Sequence, residues 1–508
     1  MLLATRKMIG EIDSYAENTL GIKGQTLMYN AGKSAAQKIL SLVRDAARVC
    51  VLCGSGKNGG DGYVIAGELF DRDHYVTVFE CEPESRDESS EFYRTKLKKK
   101  LKSIYSITDR QKLAEACESA DVIIDALWGV GFHGEMPEAE AAAIKTANGT
   151  RALRVAVDIP SGVEADSGKC AHVCFRAHHT MTMQYIKRGM LLMPARDLVG
   201  EIHVCSIGVD SEQIEGRFRF VDRTVDRVQI EKYILSRPSD SHKGTFGRLM
   251  LICGSDYMTG AAVLACEGAL RMGVGLCELV CTEAVARATA ARCPEVVFTV
   301  VPAIDQWDNS VYEKILLHSV EADAMVVGCG LGEHKNVRRL LELITSLVGC
   351  PMLIDADGLN SLDGSTQLLS EAKREIVITP HPKEFARLVY RDISEILDDR
   401  YTSAAALAEE CGITVLLKSA ATVIASPDGT RYINATGNSG LSKGGSGDVL
   451  SGMIGACLAQ GIPAHLSAAL GAYVHGAAAD LLASEYGEVG MLPRDIPAAA
   501  ARYLASLK

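Results

Sequence analysis

Short apolar runs alternate with longer segments of helical character along most of the chain. Residues 18–43 read as one helical region. Residues 47–53 form a short apolar strand, followed by a glycine-rich stretch, 54–62, and a helix expected from about Tyr63. Residues 75–80, 122–126 and 154–157 are further strand candidates, each bounded by polar or glycine-rich turns. Strands alternating with helices indicate a parallel sheet covered on both faces. The pattern breaks over residues 210–241, where charges, two short apolar runs and Arg237-Pro238-Ser239 fall together. That break sets a first domain over 1–220, a linker over 221–232 and a second domain over 233–508.

The second domain starts a new series. Strands are expected at 248–253, 276–281, 324–327, 352–355 and 376–379, with a helix over 260–272. Strands at 414–418, 422–425 and 431–434 follow, then closing helices, the first over 449–460. The two halves are not repeats of one another. At 508 residues, with 47% hydrophobic and 23% charged residues, the chain has ample material for two cores.

A net charge of -11 argues against general nucleic-acid binding. The basic run 96–102 reads as the solvated face of a helix, with attraction of an anionic ligand as the alternative. No 18-residue uninterrupted apolar stretch indicates a membrane span, and residues 1–15 lack the apolar core of a secretory signal. Sixteen cysteines scattered along apolar segments suit buried thiols in a reducing compartment, so a cytoplasmic enzyme is expected. Extensive apolar helices also suggest a homo-oligomer.

The strongest chemical signal is Thr436-Gly-Asn-Ser-Gly-Leu-Ser-Lys-Gly-Gly-Ser-Gly-Asp448, just ahead of an apolar helix. Glycines let backbone N–H groups approach an anion, and a helix N-terminus adds partial positive charge. Asp448 then stands where it could accept a proton from a hydroxyl attacking a held phosphoryl group. Glycines alone would indicate only a loop; the carboxylate at the helix mouth indicates a phosphate site.

Three loops in the first half follow strands: residues 54–62, 125–135 and 157–162. Ligands of doubly wound sheets lie beyond such strand ends. Asn58, Asp125, Asp158 and Ser161 together make one polar pocket, whose hard oxygens suit an alkali or alkaline-earth cation better than zinc. The alternative is that each Asp merely caps a turn. Three other patterns carry less. Gly32-Lys33-Ser34 resembles the tail of a phosphate loop but lies in a helical stretch. Cys50 and Cys53 have redox spacing within an apolar strand. Cys170, His172, Cys174, His178 and His179 are metal-ligand types, yet strand alternation explains the first three equally well.

Gln25-Thr-Leu-Met-Tyr-Asn-Ala-Gly32, Asn58-Gly-Gly-Asp-Gly62, Asp125-Ala-Leu-Trp-Gly129 and Val157-Asp-Ile-Pro-Ser-Gly162 together resemble the NAD(P)H-hydrate epimerase domain. That resemblance implies a Rossmann-like three-layer fold and interconversion of the R and S hydrates of damaged nicotinamide cofactor. It makes Asn58, Asp125 and Ser161 the expected potassium ligands. Lys57, Asn58, Gly59, Gly60 and Asp61, then Gly129, Val130, Gly131, Phe132, His133, Gly134 and Glu135, with Asp158, are expected to line the hydrate. Asp158 is the candidate acid/base, since epimerisation at the ring carbon needs proton handling. Lys57 departs from the family's frequent second Asn.

In the second half, His242-Lys-Gly-Thr-Phe-Gly-Arg, Gly328-Cys-Gly-Leu-Gly332, Asp355-Ala-Asp-Gly-Leu-Asn360, Thr379-Pro-His-Pro-Lys-Glu384 and the Asp448 turn are similar to the ADP-dependent NAD(P)H-hydrate dehydratases. This implies a ribokinase-like α/β domain. Lys418, Ser419, Ala420, Ala421, Thr422, Asn438, Gly444, Gly445, Ser446 and Gly447 are then expected at the adenine nucleotide. Ala261, Gly330, His381 and Asp448 are expected at the S hydrate. Cys329, Ser419 and Ser442-Lys443 depart from the usual residues, and Lys443 either contacts a phosphate or points to solvent. His381 either orients the nicotinamide or is structural.

With both halves, the chain resembles the bifunctional NAD(P)H-hydrate repair enzymes. A ring hydroxyl leaves poorly, but its phosphate ester leaves well. ADP would supply the phosphoryl group, Asp448 would take the hydroxyl proton, and magnesium would be expected at the nucleotide phosphates. The competing reading is a ribokinase-like kinase of a vitamin-precursor alcohol whose N-terminal domain only binds a nucleotide.

Overall fold

Parallel pairing organises the first of two units in the computed structural model, which describes residues 1–82 and 86–507 and divides into Leu2–Asp222 and Arg223–Lys508, the latter joined by Met1. In Leu2–Asp222 the strands run in the order Ile104–Ser106, Tyr75–Glu80, Arg48–Cys53, Val122–Ala126, Leu153–Val157, His179–Met183 and Glu201–Cys205. All these neighbours are parallel. Alternation along Arg48–Cys53 shows why both faces are covered. Val49, Val51 and Cys53 join one core with the helices Gly24–Leu40 and Lys57–Phe70. Cys50 and Leu52 point the other way, into a second core with the helices Arg110–Ser119 and Glu138–Asn148. The chain grows outward from Arg48–Cys53, then returns to place Val122–Ala126 on its other side. The growth direction therefore reverses between these two strands.

The helical region expected at 18–43 holds the helix Gly24–Leu40, and a further helix, Arg6–Asn18, precedes it where none was expected. The helix expected from Tyr63 begins six residues earlier, at Lys57. Glycines 59, 60 and 62 read as loop signals in sequence, but in the fold they answer to close packing. A Cβ on Gly59 would lie 2.0 Å from the Gly54 oxygen, one on Gly60 2.4 Å from Met28 Sδ, and one on Gly62 2.7 Å from Ala126 Cβ. The helix thus sits against the strand ends as only glycine allows. Gly32 serves a similar crossing, against Val64, within Gly24–Leu40. Residues 96–102 straddle the C-terminus of the helix Glu88–Lys98, with Lys98 paired to Glu80 at 3.0 Å.

In Arg223–Lys508 the strands follow the order Arg431–Ile433, Val423–Ala425, Thr414–Leu417, Ile376–Ile378, Met352–Ile354, Ala324–Val327, Arg248–Ile252, Leu276–Cys281 and Val297–Val300. The first two junctions are antiparallel and the others parallel. Here the growth direction reverses between Arg248–Ile252 and Ala324–Val327. Helix Ser446–Ala459 packs on the sheet and against Thr259–Arg271 through glycines. A Cβ on Gly452 would fall 1.9 Å from the Ala265 oxygen, and one on Gly455 2.4 Å from Val326. Helix Ala464–Gly490 is long and apolar enough to cross a membrane, but 78% of its most apolar window is buried in this unit. Its length reflects a core role.

Gly59→Ala separates packing from propensity. Alanine favours a helix by roughly 0.5–1 kcal/mol over glycine, yet the clash with Gly54 should make the variant less stable by roughly 1–3 kcal/mol. The shift of the urea midpoint measures this.

Candidate functional site

At the switch point of Leu2–Asp222 lies a cavity of about 990 Å³. Its lining includes Lys57, Asn58, Asp61, Gly129, Val130, Gly131 and Asp158. Phe132 is buried beneath this loop, while His133, Gly134 and Glu135 are exposed beyond the lining; Gly59 and Gly60 are packed behind it. The loop 129–135 thus meets the cavity through its first half only, because Phe132 turns inward against Trp128.

Asp125 is wholly buried at the end of its strand and binds the next loop. Ser161 donates to it through Oγ at 2.7 Å and N–H at 2.8 Å, and Leu127 N–H at 3.2 Å. Burial pushes its carboxyl up to about 6 against these hydrogen bonds. Asn58 donates through Nδ2 to the Trp128 carbonyl at 2.9 Å, while its Oδ1 is buried with no donor. An orphaned oxygen beside Asp125 and Ser161 is what a bound cation would satisfy.

Asp158 sits in the left-handed region at φ 67°. Its carboxylate accepts from Val130 N–H at 3.3 Å and forms an ion pair with Lys187, whose side chain is fully buried. Lys187 also donates to Thr182 Oγ1 and the Met183 carbonyl, each at 3.0 Å. A short parallel pairing of Leu3–Ala4 with Ile186–Lys187 holds its backbone. Nearby, burial and then the charges of Asp158 and Asp13 push the Asp61 carboxyl well above its ordinary range. Lys57 pairs with Asp13 at 3.3 Å at the cavity wall. Sequence reasoning did not find Lys187 or Asp13. A lysine within the apolar run 181–192 was the available signal, because a buried ammonium demands a partner.

In the second unit, Gly254 N–H donates to the Cys329 carbonyl at 2.7 Å, joining the two strand ends at the switch point. Gly330, at φ 65°, would place a Cβ 2.6 Å from Ala261 Cβ, so these two predicted residues are neighbours. Asp448 lies in the first turn of Ser446–Ala459, whose N-cap is Gly445 at φ 101°. Burial first, then the Asp355 charge, pushes its carboxyl up to about 6, while Cys329 and Lys418 oppose this. Lys418 bonds Asp355 at 2.9 Å and stands 4.0 Å from Glu384; Ser451 donates to the other Asp355 oxygen at 2.7 Å. A Cβ on Gly447 would meet Lys418 Nζ at 3.5 Å. Asp448, Gly447, Lys418 and Asp355 therefore form one cluster, in which Asp355 and Glu384 had not been singled out from sequence. The signal for Asp355 was the end of an expected strand, and for Glu384 the motif over residues 379–384 that follows the strand Ile376–Ile378.

Ser419 and Thr422 lock their turn: Thr422 Oγ1 accepts from Ser419 N–H at 3.2 Å and donates to its carbonyl at 2.9 Å, with Ala420 exposed and Ala421 buried between them. Asn438 donates to Asp480 at 2.9 Å and accepts from Gly440 N–H, shaping the approach to Gly444. Lys443 takes neither expected role. It donates to the carbonyls of Val489, at 2.7 Å, and Met491, the C-terminal end of the long helix. His381 caps the helix Pro382–Leu388: its Nδ1 accepts from Lys383 and Glu384 N–H, leaving Nε2 3.4 Å from Glu384. His475, unremarked in sequence, is buried with Nε2 unpartnered, as are Ser446 Oγ and Thr379 Oγ1.

These features define a class: an α/β enzyme with a polar cavity at one switch point and a glycine-turn carboxylate at another. Two family models match, one described as NAD(P)H-hydrate dehydratase over residues 249–502 and one as YjeF-related protein N-terminus over residues 24–189. The bifunctional NAD(P)H-hydrate repair enzyme Nnr of Moorella thermoacetica is 35% identical over 506 residues, spanning 98% of this chain and 95% of that protein. Its namesake from Escherichia coli is 36% identical over 485 residues, spanning 95% and 90%. The chain belongs to the bifunctional NAD(P)H-hydrate repair enzyme family. Among solved structures, the ADP/ATP-dependent NAD(P)H-hydrate dehydratase from Bacillus subtilis, co-crystallised with ATP/Mg2+, is similar at 28% identity and a TM-score of 0.49, covering 56% of this chain and 98% of that one.

Lys187→Met leaves a buried carboxylate without its cation, which typically costs roughly 3–5 kcal/mol. Chemical unfolding of the variant should show a loss of that order.

Proposed function

We propose that the first cavity interconverts the R and S forms of NAD(P)H hydrate, and that the second site dehydrates the S form, consuming ADP and releasing AMP and phosphate. The observation that carries this reading is Asp448, a carboxylate pushed up to about 6 at a glycine-rich helix mouth beside Lys418 and Asp355. Such a group is ionised at neutral pH and basic enough to take a hydroxyl proton.

The hydrate's hydroxyl oxygen attacks the β-phosphorus of ADP, its proton passes to Asp448, and AMP leaves. Backbone N–H groups over residues 444–447 and the Lys418 ammonium stabilise the transferring phosphoryl group. The ring nitrogen lone pair then expels the phosphate, and loss of a ring proton restores the reduced nicotinamide. Ala261 and Gly330 leave room for the ring, and His381, whose Nδ1 is taken up as a helix cap, would orient the nicotinamide portion. The acidic set of Asp355, Asp357 and Asp448 suits a hard divalent cation such as magnesium, which would arrive with the nucleotide and neutralise its phosphates. In the first cavity, Asp158 moves the proton at the epimerising carbon, and Lys187 fixes its carboxylate. Asn58, Asp125 and Ser161 would hold potassium, which would order the loops beneath the ligand. Sixteen free thiols support a cytoplasmic setting. Exposed Leu317 and Val320 offer apolar surface for a homo-oligomer.

Pure S hydrate supplied with ADP should yield reduced cofactor, AMP and phosphate in equal amounts. A stable phosphorylated alcohol would instead indicate a kinase. Asp158→Asn, which tolerates the left-handed backbone, should slow epimerisation by roughly 10²–10⁴-fold and spare dehydration of the S form.

Asp448→Asn should do the reverse, and it should also raise stability. Wild-type Asp448 titrates near 6 in the fold against 3.8 ordinarily, so it favours folding below that ordinary value and loses this contribution as pH rises through about 6. Above about pH 6 the variant should therefore gain on the order of 1–3 kcal/mol, and the gain should vanish in acid. Unfolding curves across pH read the difference, and kcat/KM for dehydration should fall as pH drops through the same range.

A further inference from the structure

Far from the cavity residues in strand position, at the other ends of two paired strands, His179, Glu201 and His203 converge. His179 opens His179–Met183; Glu201 and His203 lie on the edge strand Glu201–Cys205, in register with it. The parallel pairing sets Glu201 opposite His179 and His203 opposite Met181, and the two-residue alternation brings both imidazoles to one face. The metal-ligand residue types that precede His179 in sequence do not join it: Cys174 donates to the carbonyls of Gly162 and Ala171, and His178 is engaged by Arg154.

Three separations decide what this group can hold. His179 Nδ1 lies 3.1 Å from His203 Nε2 and 3.5 Å from one Glu201 oxygen, and His203 Nε2 lies 3.7 Å from the other. Donors about 2.0–2.2 Å from one tetrahedral zinc ion stand about 3.3–3.6 Å apart. The observed separations, 3.1, 3.5 and 3.7 Å, lie within a few tenths of an ångström of that range, the last two running to different Glu201 oxygens, so side-chain adjustment of the carboxylate and imidazoles would bring three donors onto one ion. We propose that His179, Glu201 and His203 form a site for zinc or a similar borderline divalent ion, separate from the cation and nucleotide sites of the two reactions.

The donor set suits that chemistry: two imidazoles and one carboxylate favour zinc-like ions over potassium or magnesium. The imidazoles are 18% and 19% exposed and the Glu201 side chain 67%, so the fourth position faces solvent and an ion can enter. Lys38, on the helix Gly24–Leu40, is the cation near His203 and opposes the metal's charge, while the Glu201 carboxylate favours it. A bound ion would cross-link the edge strand to His179–Met183, whose far end supplies the Met183 carbonyl to Lys187 and Met183 N–H to Asp158.

The test uses the full chain stripped of metal by a chelator. Calorimetric titration with zinc, and with cobalt(II) followed by visible absorption, should show one equivalent bound, with ligand-field bands and no thiolate charge-transfer band. His179→Gln and His203→Gln, each checked for unchanged metal-free melting, should weaken binding by at least ~10-fold. Thiolate charge transfer, which the sixteen cysteines would produce, overturns the assignment. So does binding that survives both substitutions, or the absence of stoichiometric binding.

Discussion

A parallel sheet that reverses its direction of growth leaves two neighbouring strand ends with no crossover helix between them. Both chemical sites of this chain depend on that constraint. In Leu2–Asp222 the reversal parts the loops after Cys53 and Ala126, and Asn58, Asp125 and Asp158 gather there. In Arg223–Lys508 it parts the loops after Ile252 and Val327, where Gly254 meets Cys329 and Gly330 meets Ala261. The strands contribute little chemistry themselves. They fix where the loops begin, and therefore which short side chains reach the same point.

The same geometric solution carries different electrostatics in the two units. In the first, the buried Lys187 pairs with Asp158 and holds it in a network closed by Thr182 and Met183. In the second, Lys418 is committed to Asp355, and Asp448 carries the cost of a neighbouring negative charge. A carboxylate anchored by a buried lysine is held in one orientation, which the proton transfer proposed for Asp158 requires. A carboxylate made basic by burial, and then by a like-charged neighbour, suits removal of a hydroxyl proton. Each environment matches the task assigned to it.

Much of the architecture was legible because buried parallel strands announce themselves as short apolar runs. Residues 75–80, 122–126, 276–281 and 324–327 fall where the strands lie. What sequence concealed had physical reasons. His179–Met183 opens with polar residues, so it does not read as an apolar run, whereas Val297–Val300, at a sheet edge, is largely apolar and was readable though not singled out. Glycines 59, 60 and 62 carry a loop signal that close packing overrides. The strand-end carboxylates were visible because each ends an apolar run. Lys187 was not, since its partner is twenty-nine residues away and its pairing depends on the N-terminal Leu3–Ala4 strand. Lys443, beside glycines, left a phosphate contact and a solvent-facing side chain equally open, and only the long helix's return brings the Val489 carbonyl to it.

The early start of the helix Lys57–Phe70 has a chemical consequence for the lifetime of the protein. Asn58-Gly59 is the kind of dipeptide that ages fastest in a flexible chain, because an unhindered glycine nitrogen attacks the asparagine amide carbon and closes a succinimide ring. Helical backbone geometry holds that nitrogen away from the attack path, and Asn58 Nδ2 is anchored on the Trp128 carbonyl. The turn that positions Asn58 thus also shields it from spontaneous deamidation, in a chain whose own role is to reverse spontaneous damage to a cofactor.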